Sequence, residues 1–130
     1  MLVPEVVAVV PRVQVGVFTC PETVGNYSVT GLGFQPKCVE FWVSKGPGLQ
    51  THFCCCQGMA DANGNQNCMT WAGVWSNIFK GDSRVDLCMY TINSSGNSQV
   101  TATVSMDADG FTVNFTAVNS AFIIRWKAIG

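Results

Sequence analysis

Charge is the scarcest commodity in this sequence. Acidic and basic side chains make up 12% of its 130 residues, against roughly 25% in ordinary soluble domains. The formal net charge is −1, and no run of lysines and arginines occurs, so the electrostatic footprint of a nucleic-acid-binding surface is missing and nucleic acid is not an expected partner. There is one histidine, His52, which confines any histidine-dependent chemistry to its own neighbourhood. No apolar run reaches the roughly 18 to 20 residues of a spanning helix, and no membrane association is expected. Helical periodicity is also lacking. "WSNIFKG" (75–81) is the one short candidate for a helix, of about two turns.

What the chain has instead is apolar side chains, 48% of the total. At this length it suits one domain with a real core. So little charge over so much apolar surface needs either an interface or a monomer surfaced in Ser, Thr and Asn, and the first is the expectation: a homo-oligomer or a subunit of something larger. The opening "MLVPEVVAVVPRV" is apolar and bracketed by Pro4 and Pro11. It has neither the basic start nor the cleavage signal of a secretory leader, which predicts synthesis in a reducing cytoplasm where seven cysteines need not pair. Because proline is confined largely to edges and arms, residues 1–12 are expected to form an extended arm ahead of a domain spanning 13–130, an edge strand of the same sheet being the alternative.

Period two dominates the rest. "GFTVNFTAV" alternates Phe111, Val113, Phe115 and Ala117 with polar residues, "QVTATVSM" does the same with Val100, Ala102, Val104 and Met106, and "AFIIRWKAI" puts Phe122, Ile124, Trp126 and Ala128 on one face. These are strands, and Asp109-Gly110 between alternating runs marks a hairpin. Further strands are expected at 13–19, 26–30, 37–44, 49–55, 68–75 and 84–92, punctuated by "GLGFQP", "KGPG", "ADANGNQN", "KGD" and "SSGNS". About nine strands predict an all-β fold: an antiparallel β-sandwich, jelly-roll-like in class.

"HFCCCQG" (52–58) is the most chemically loaded phrase. On a strand His52, Cys54 and Cys56 share a face while Cys55 points the other way. Residues four apart on a strand lie roughly 13 Å apart, too far to share a zinc ion that holds its ligands at about 2.0 to 2.3 Å. A site would need a bend and Cys68. His52 and Cys54, about 7 Å apart, are equally ill placed for a thiol-activating hydrogen bond. Packing or a disulfide is the expected use of the cysteines, with no metal, no cofactor and no catalytic residue. Asp107 and Asp109 in "DADG" lack the closing glutamate of a calcium loop and read as turn residues. Trp42 alternates away from Val39, Phe41 and Val43, and Trp71 shares a face with Trp75. Such tryptophans serve as core, as protein interface or as sugar-stacking platforms.

Two segments carry a resemblance. "VGVFTCPETVGNYSVTGLGFQPKCVEFW" (15–42) and "SMDADGFTVNFTAVNSAFIIRWKAIG" (105–130) cover about 40% of the chain. They resemble small β-sandwich structural proteins of tailed bacteriophages, in which a "tGlGFxPkaVifw" phrase and a terminal "S.D.DGFTvnwt … yxAxG" phrase recur. The resemblance implies a virion protein: a capsid decoration or cement subunit, often trimeric, on the surface of the major capsid protein shell, or a tail-fibre or receptor-binding module that recognises host glycan. The absence of a trimerising stem suits the first. Val6, Val7, Val9 and Val10 of the arm, with outward Trp42 and Trp75, are the expected intersubunit contacts. Gly31 and Gly33 would shape the turn before the third strand, and Phe34 and Pro36 would pack and stiffen it.

Overall fold

The computed structural model describes residues 12–45, 52–74, 79–93 and 95–130. It is built from ten strands: β1 (Val13–Thr19), β2 (Gly25–Val29), β3 (Cys38–Lys45), β4 (His52–Asp61), β5 (Gln66–Val74), β6 (Phe79–Arg84), β7 (Met89–Ile92), β8 (Ser98–Asp107), β9 (Gly110–Val118) and β10 (Phe122–Ile129). They form two antiparallel sheets, one of six strands in the order β1-β10-β3-β4-β5-β6 and one of four in the order β2-β9-β8-β7. No helix occurs among the described residues.

The alternating runs do what their pleat requires. Phe111, Val113 and Phe115 of β9, Val100, Ala102 and Val104 of β8, and Phe122, Ile124, Trp126 and Ala128 of β10 all point into one core between the sheets. Edge-to-face aromatic pairs join the two layers: Phe41 of β3 meets Phe111 with ring centroids 5.9 Å apart, and Trp126 meets the same ring at 5.1 Å. Phe18 of β1 stacks on Tyr27 of β2 at 4.2 Å. Where β7 stops short, the Gln66 side chain takes over its role, accepting from the Val104 amide at 2.9 Å and donating to the Val104 carbonyl at 3.2 Å. No backbone group of β8 is orphaned there.

Four local expectations change. The run 84–92 is not one strand: β6 ends at Arg84, Val85 is almost fully exposed, and the chain crosses to the other sheet before β7 begins. Of "WSNIFKG", Phe79, Lys80 and Gly81 pair with β5 as strand, their partners being Gly73, Ala72 and Trp71; residues 75–78 lie outside the described ones. β4 does not stop at the cysteines but runs on through Gly58 to Asp61. Gly58 is there because a Cβ would sit 1.7 Å from the Cys88 carbonyl oxygen, where the chain entering β7 passes against the sheet. Finally, the β8–β9 hairpin turns at Ala108 and Asp109, with Gly110 already paired to Asp107. Gly110 is not a positive-φ residue; it lies so close to β2 that a Cβ would fall 1.8 Å from the Val29 carbonyl oxygen.

Candidate functional site

The cysteines come first, because the sequence makes them the obvious candidates. Cys54 and Cys56 of β4 and Cys68 of β5 point inward, where they meet Cys88, Tyr90 and Ile92 at the crossing onto β7. Burial lifts the Cys54 thiol, and the Thr70 hydroxyl beside it donates to the Cys55 carbonyl at 3.2 Å. The neighbouring Cys68 thiol and burial push the Cys56 thiol well above the ordinary range, while the same contact draws Cys68 down. Cys88 is pushed up by burial and its Sγ donates to the Ala102 carbonyl at 3.4 Å. Cys20, at the far end of β1, is raised to about 11 by burial. All seven thiols are free. Among the described residues no three His, Cys, Asp or Glu side chains converge as a metal would require. The triple cysteine is thus divided by the pleat: Cys54 and Cys56 help pack the two sheets together, and Cys55 lies exposed on the other side.

The two aspartates of "DADG" are more than turn formers. Asp107 accepts from the Thr112 hydroxyl at 2.6 Å. Asp109 receives the Gly31 amide at 3.0 Å and the Gly33 amide at 2.6 Å on its two carboxylate oxygens, and its backbone carbonyl takes the Leu32 amide at 3.0 Å. Gly31 and Gly33 have φ of 80° and 78°, a conformation that side chains resist, and their two amides meet one carboxylate while the Leu32 amide between them meets the backbone carbonyl. Phe34 follows, buried beneath Gly130. This clamp serves the fold, and its oxygens are already filled by the chain itself.

The outer face of the six-stranded sheet is the largest apolar surface that the described residues leave exposed. Register places Val17, Arg125, Trp42, Gln57, Met69 and Ser83 side by side across it, with Val15, Lys127, Glu40, Met59 and Asn67 in the next row. Val15 is 70% exposed, Met69 53% and Trp42 41%. Trp42 therefore stands where alternation puts it. Val6, Val7, Val9, Val10 and Trp75 lie outside the described residues. Two hollows mark the face. A cleft of about 340 Å³ has Trp42, Trp71 and Arg125 around a floor of Cys55 and Gln57. A groove of about 390 Å³ runs between Glu40, Met59, Met69 and Arg84. At its end the Arg84 guanidinium forks onto Asp86 with bonds of 2.9 and 2.6 Å and lies over the Tyr90 ring.

Valines 13, 15 and 17 are the part of this face that sequence reasoning missed. In "VQVGVFT" they hold every second position, and apolar alternation by itself suggests that they face a core. The Trp126 indole decides otherwise. It lies inside, directly across from Gly16, and a Cβ on Gly16 would come within 2.3 Å of it. Only a glycine fits opposite that ring, so β1 turns the half-buried Gly16 and the buried Phe18 inward and its valines outward. The signal available in the sequence was the glycine itself, set among β-branched residues.

No protein-family model, curated protein or solved structure shows a significant match to the chain.

Proposed function

We propose that the chain is a structural virion protein of a tailed bacteriophage, a capsid decoration (cement) protein. In this reading residues 13–130 form a jelly-roll-like β-sandwich and residues 1–12 an extended arm. The protein sits on the capsid surface as a homo-oligomer and bridges copies of the major capsid protein. The observation that carries the proposal is the outer face of the larger sheet, where Val13, Val15, Val17, Trp42, Met59 and Met69 stand exposed among few charges. Exposed apolar side chains gathered on one sheet face in this way mark a protein-binding site. The Asp109 clamp adds support, because it ties together the "GLGF" and "DGFT" phrases on which the phage resemblance rests. The mechanism is linkage: a subunit that binds the assembled shell and not its loose parts stabilises the shell by mass action.

The test is co-sedimentation with capsids of the cognate phage that lack this subunit. The full chain is expected to pellet with them, and a chain without residues 1–11 to stay folded but remain in the supernatant. Failure of the full chain to bind overturns the proposal; binding by the truncated chain removes the arm from it. A second reading, a tail-fibre or receptor-binding module for host-surface glycan, draws on the cleft between Trp42 and Trp71, with the Gln57 amide and Arg125 guanidinium at hand for sugar hydroxyls. It predicts quenching of tryptophan fluorescence by host polysaccharide, and a flat titration removes it.

A further inference from the structure

We infer that the outer face of the six-stranded sheet is covered by the same face of a second copy, in a two-fold, sheet-on-sheet dimer. The inference rests on the assembly reading of this face and is independent of capsid binding.

Size is the first argument. Six strands at about 4.8 Å spacing and some seven residues at about 3.3 Å give a face near 700 Å². Two such faces together bury about 1,400 Å², within the roughly 1,200 to 2,000 Å² of a stable, specific interface. No other described apolar surface is comparable: the inner faces of both sheets are consumed by the shared core.

Charge is the second. Strand parity puts Arg125 and Lys127 of β10, Glu40 of β3 and Asp61 at the end of β4 on the outward side, two of each sign, while Lys80, Asp82 and Arg84 of β6 pair with the inward Ala72, Thr70 and Cys68. Among the described residues the one ion pair is Arg84–Asp86, and within that set Arg125, Lys127 and Glu40 have no charge partner closer than 4.0 Å. A balanced face does not repel its own copy, and opposite charges are present to be matched across it. A strongly single-signed partner would find no complementary field here.

Symmetry is the third. A pleated sheet buries an apolar face by laying it about 10 Å from another, strands aligned to within about 30°, and a second copy supplies such a surface. A face that meets itself is isologous and closes at two subunits; a ring of three needs two different patches. The structure thus points to a pair where the phage resemblance alone implies a trimer.

Sedimentation equilibrium of the full chain, without capsids and with reductant present, tests this. The expected mass is twice 14.0 kDa, falling to the single-chain value on dilution. Trp42→Glu and Met69→Glu, both at exposed positions, are expected to weaken the dimer about tenfold or more while leaving circular dichroism intact, and thermal unfolding intact at dilutions where the wild type is a single chain. Cys55 supplies the second readout. It sits exposed on β4 in the middle of this face, so its labelling by a maleimide should slow as protein concentration rises. A monomer at all concentrations, a three-chain mass, or a dimer in which Cys55 labels at an unchanging rate would each overturn the inference. Because capsids are absent, its failure leaves the decoration reading to be judged on co-sedimentation alone.

Discussion

The carboxylate of Asp109 accepts the Gly33 amide at 2.6 Å, across 76 residues of sequence. The hairpin tip between β8 and β9 thereby holds the loop that leads into β3. With Gly31 and Leu32 also donating to Asp109, one residue organises three consecutive amides that would otherwise need water.

Asp109→Ala should lower stability by about 1 to 2 kcal/mol, because hydrogen bonds to a charged acceptor are lost and the amides are exposed enough to be rehydrated. Urea unfolding measures it. Asp109→Asn, which keeps one acceptor oxygen, should fall between Ala and wild type. An Ala variant as stable as wild type would show that the clamp contributes nothing net.

Gly58→Ala should be far more damaging than its chemistry suggests. The added Cβ would lie 1.7 Å from the Cys88 carbonyl oxygen, and backbone cannot swing aside as a side chain can. A loss of about 3 kcal/mol or more, or failure to fold, is expected from such overpacking. Met59→Ala, one residue along and exposed, should change stability by less than about 0.5 kcal/mol. Denaturant midpoints for the two variants provide the comparison.

The acid limb of stability should depend on Asp61. Its carboxylate accepts the Asn65 side-chain amide and the backbone amides of Asn65 and Asn63, which hold the carboxyl below its ordinary range. Asp86 is likewise lowered, by the Arg84 fork. A carboxyl depressed in the folded state contributes fully above its unfolded value, about 3.9, and the contribution disappears as pH falls through the folded value. Melting temperatures should therefore decline below about pH 4, and Asp61→Asn should flatten that decline. An unchanged acid limb in Asp61→Asn would assign the decline elsewhere.

The alkaline limb should belong to the thiols. Burial raises Cys20 from 9.0 to about 11 and also lifts Cys54 and Cys88. A thiol held protonated in the fold but free to ionise when unfolded favours the unfolded chain once pH passes the unfolded value. Stability should be full below pH 9.0 and, for Cys20, fall until about pH 11. Cys20→Ala should reduce the slope of melting temperature against pH in that window. A slope identical to wild type would exclude Cys20 as its source.

Much of this architecture was legible in the sequence because a strand's pleat sends alternate side chains to opposite faces. Phe111, Val113 and Phe115, or Phe122, Ile124 and Trp126, declare a shared face without reference to anything else in the chain, and Trp42 declares itself opposite to Phe41. The hairpin at "DADG" was legible too, although its glycine serves a close crossing of β2 and not the turn. The candidate face was half visible: Trp42 was identifiable, while the valines of β1 and the methionines of β4 and β5 were not.

The sequence by itself therefore determined the strand content, the two-sheet class and the residues that travel together on each face. Period-two alternation is a local property of the backbone, which is why it could be read. Only the tertiary structure decided which face is covered. The Trp126 ring fills the space opposite β1 and turns Val13, Val15 and Val17 outward; the Cys88 carbonyl passes over β4 at Gly58 and leaves no room there for a side chain; β7 closes over Cys54 and Cys56 and leaves Cys55 outside. Each outcome depends on what a distant strand brings to the same place, and contacts between residues far apart in sequence leave no period in the chain to be read.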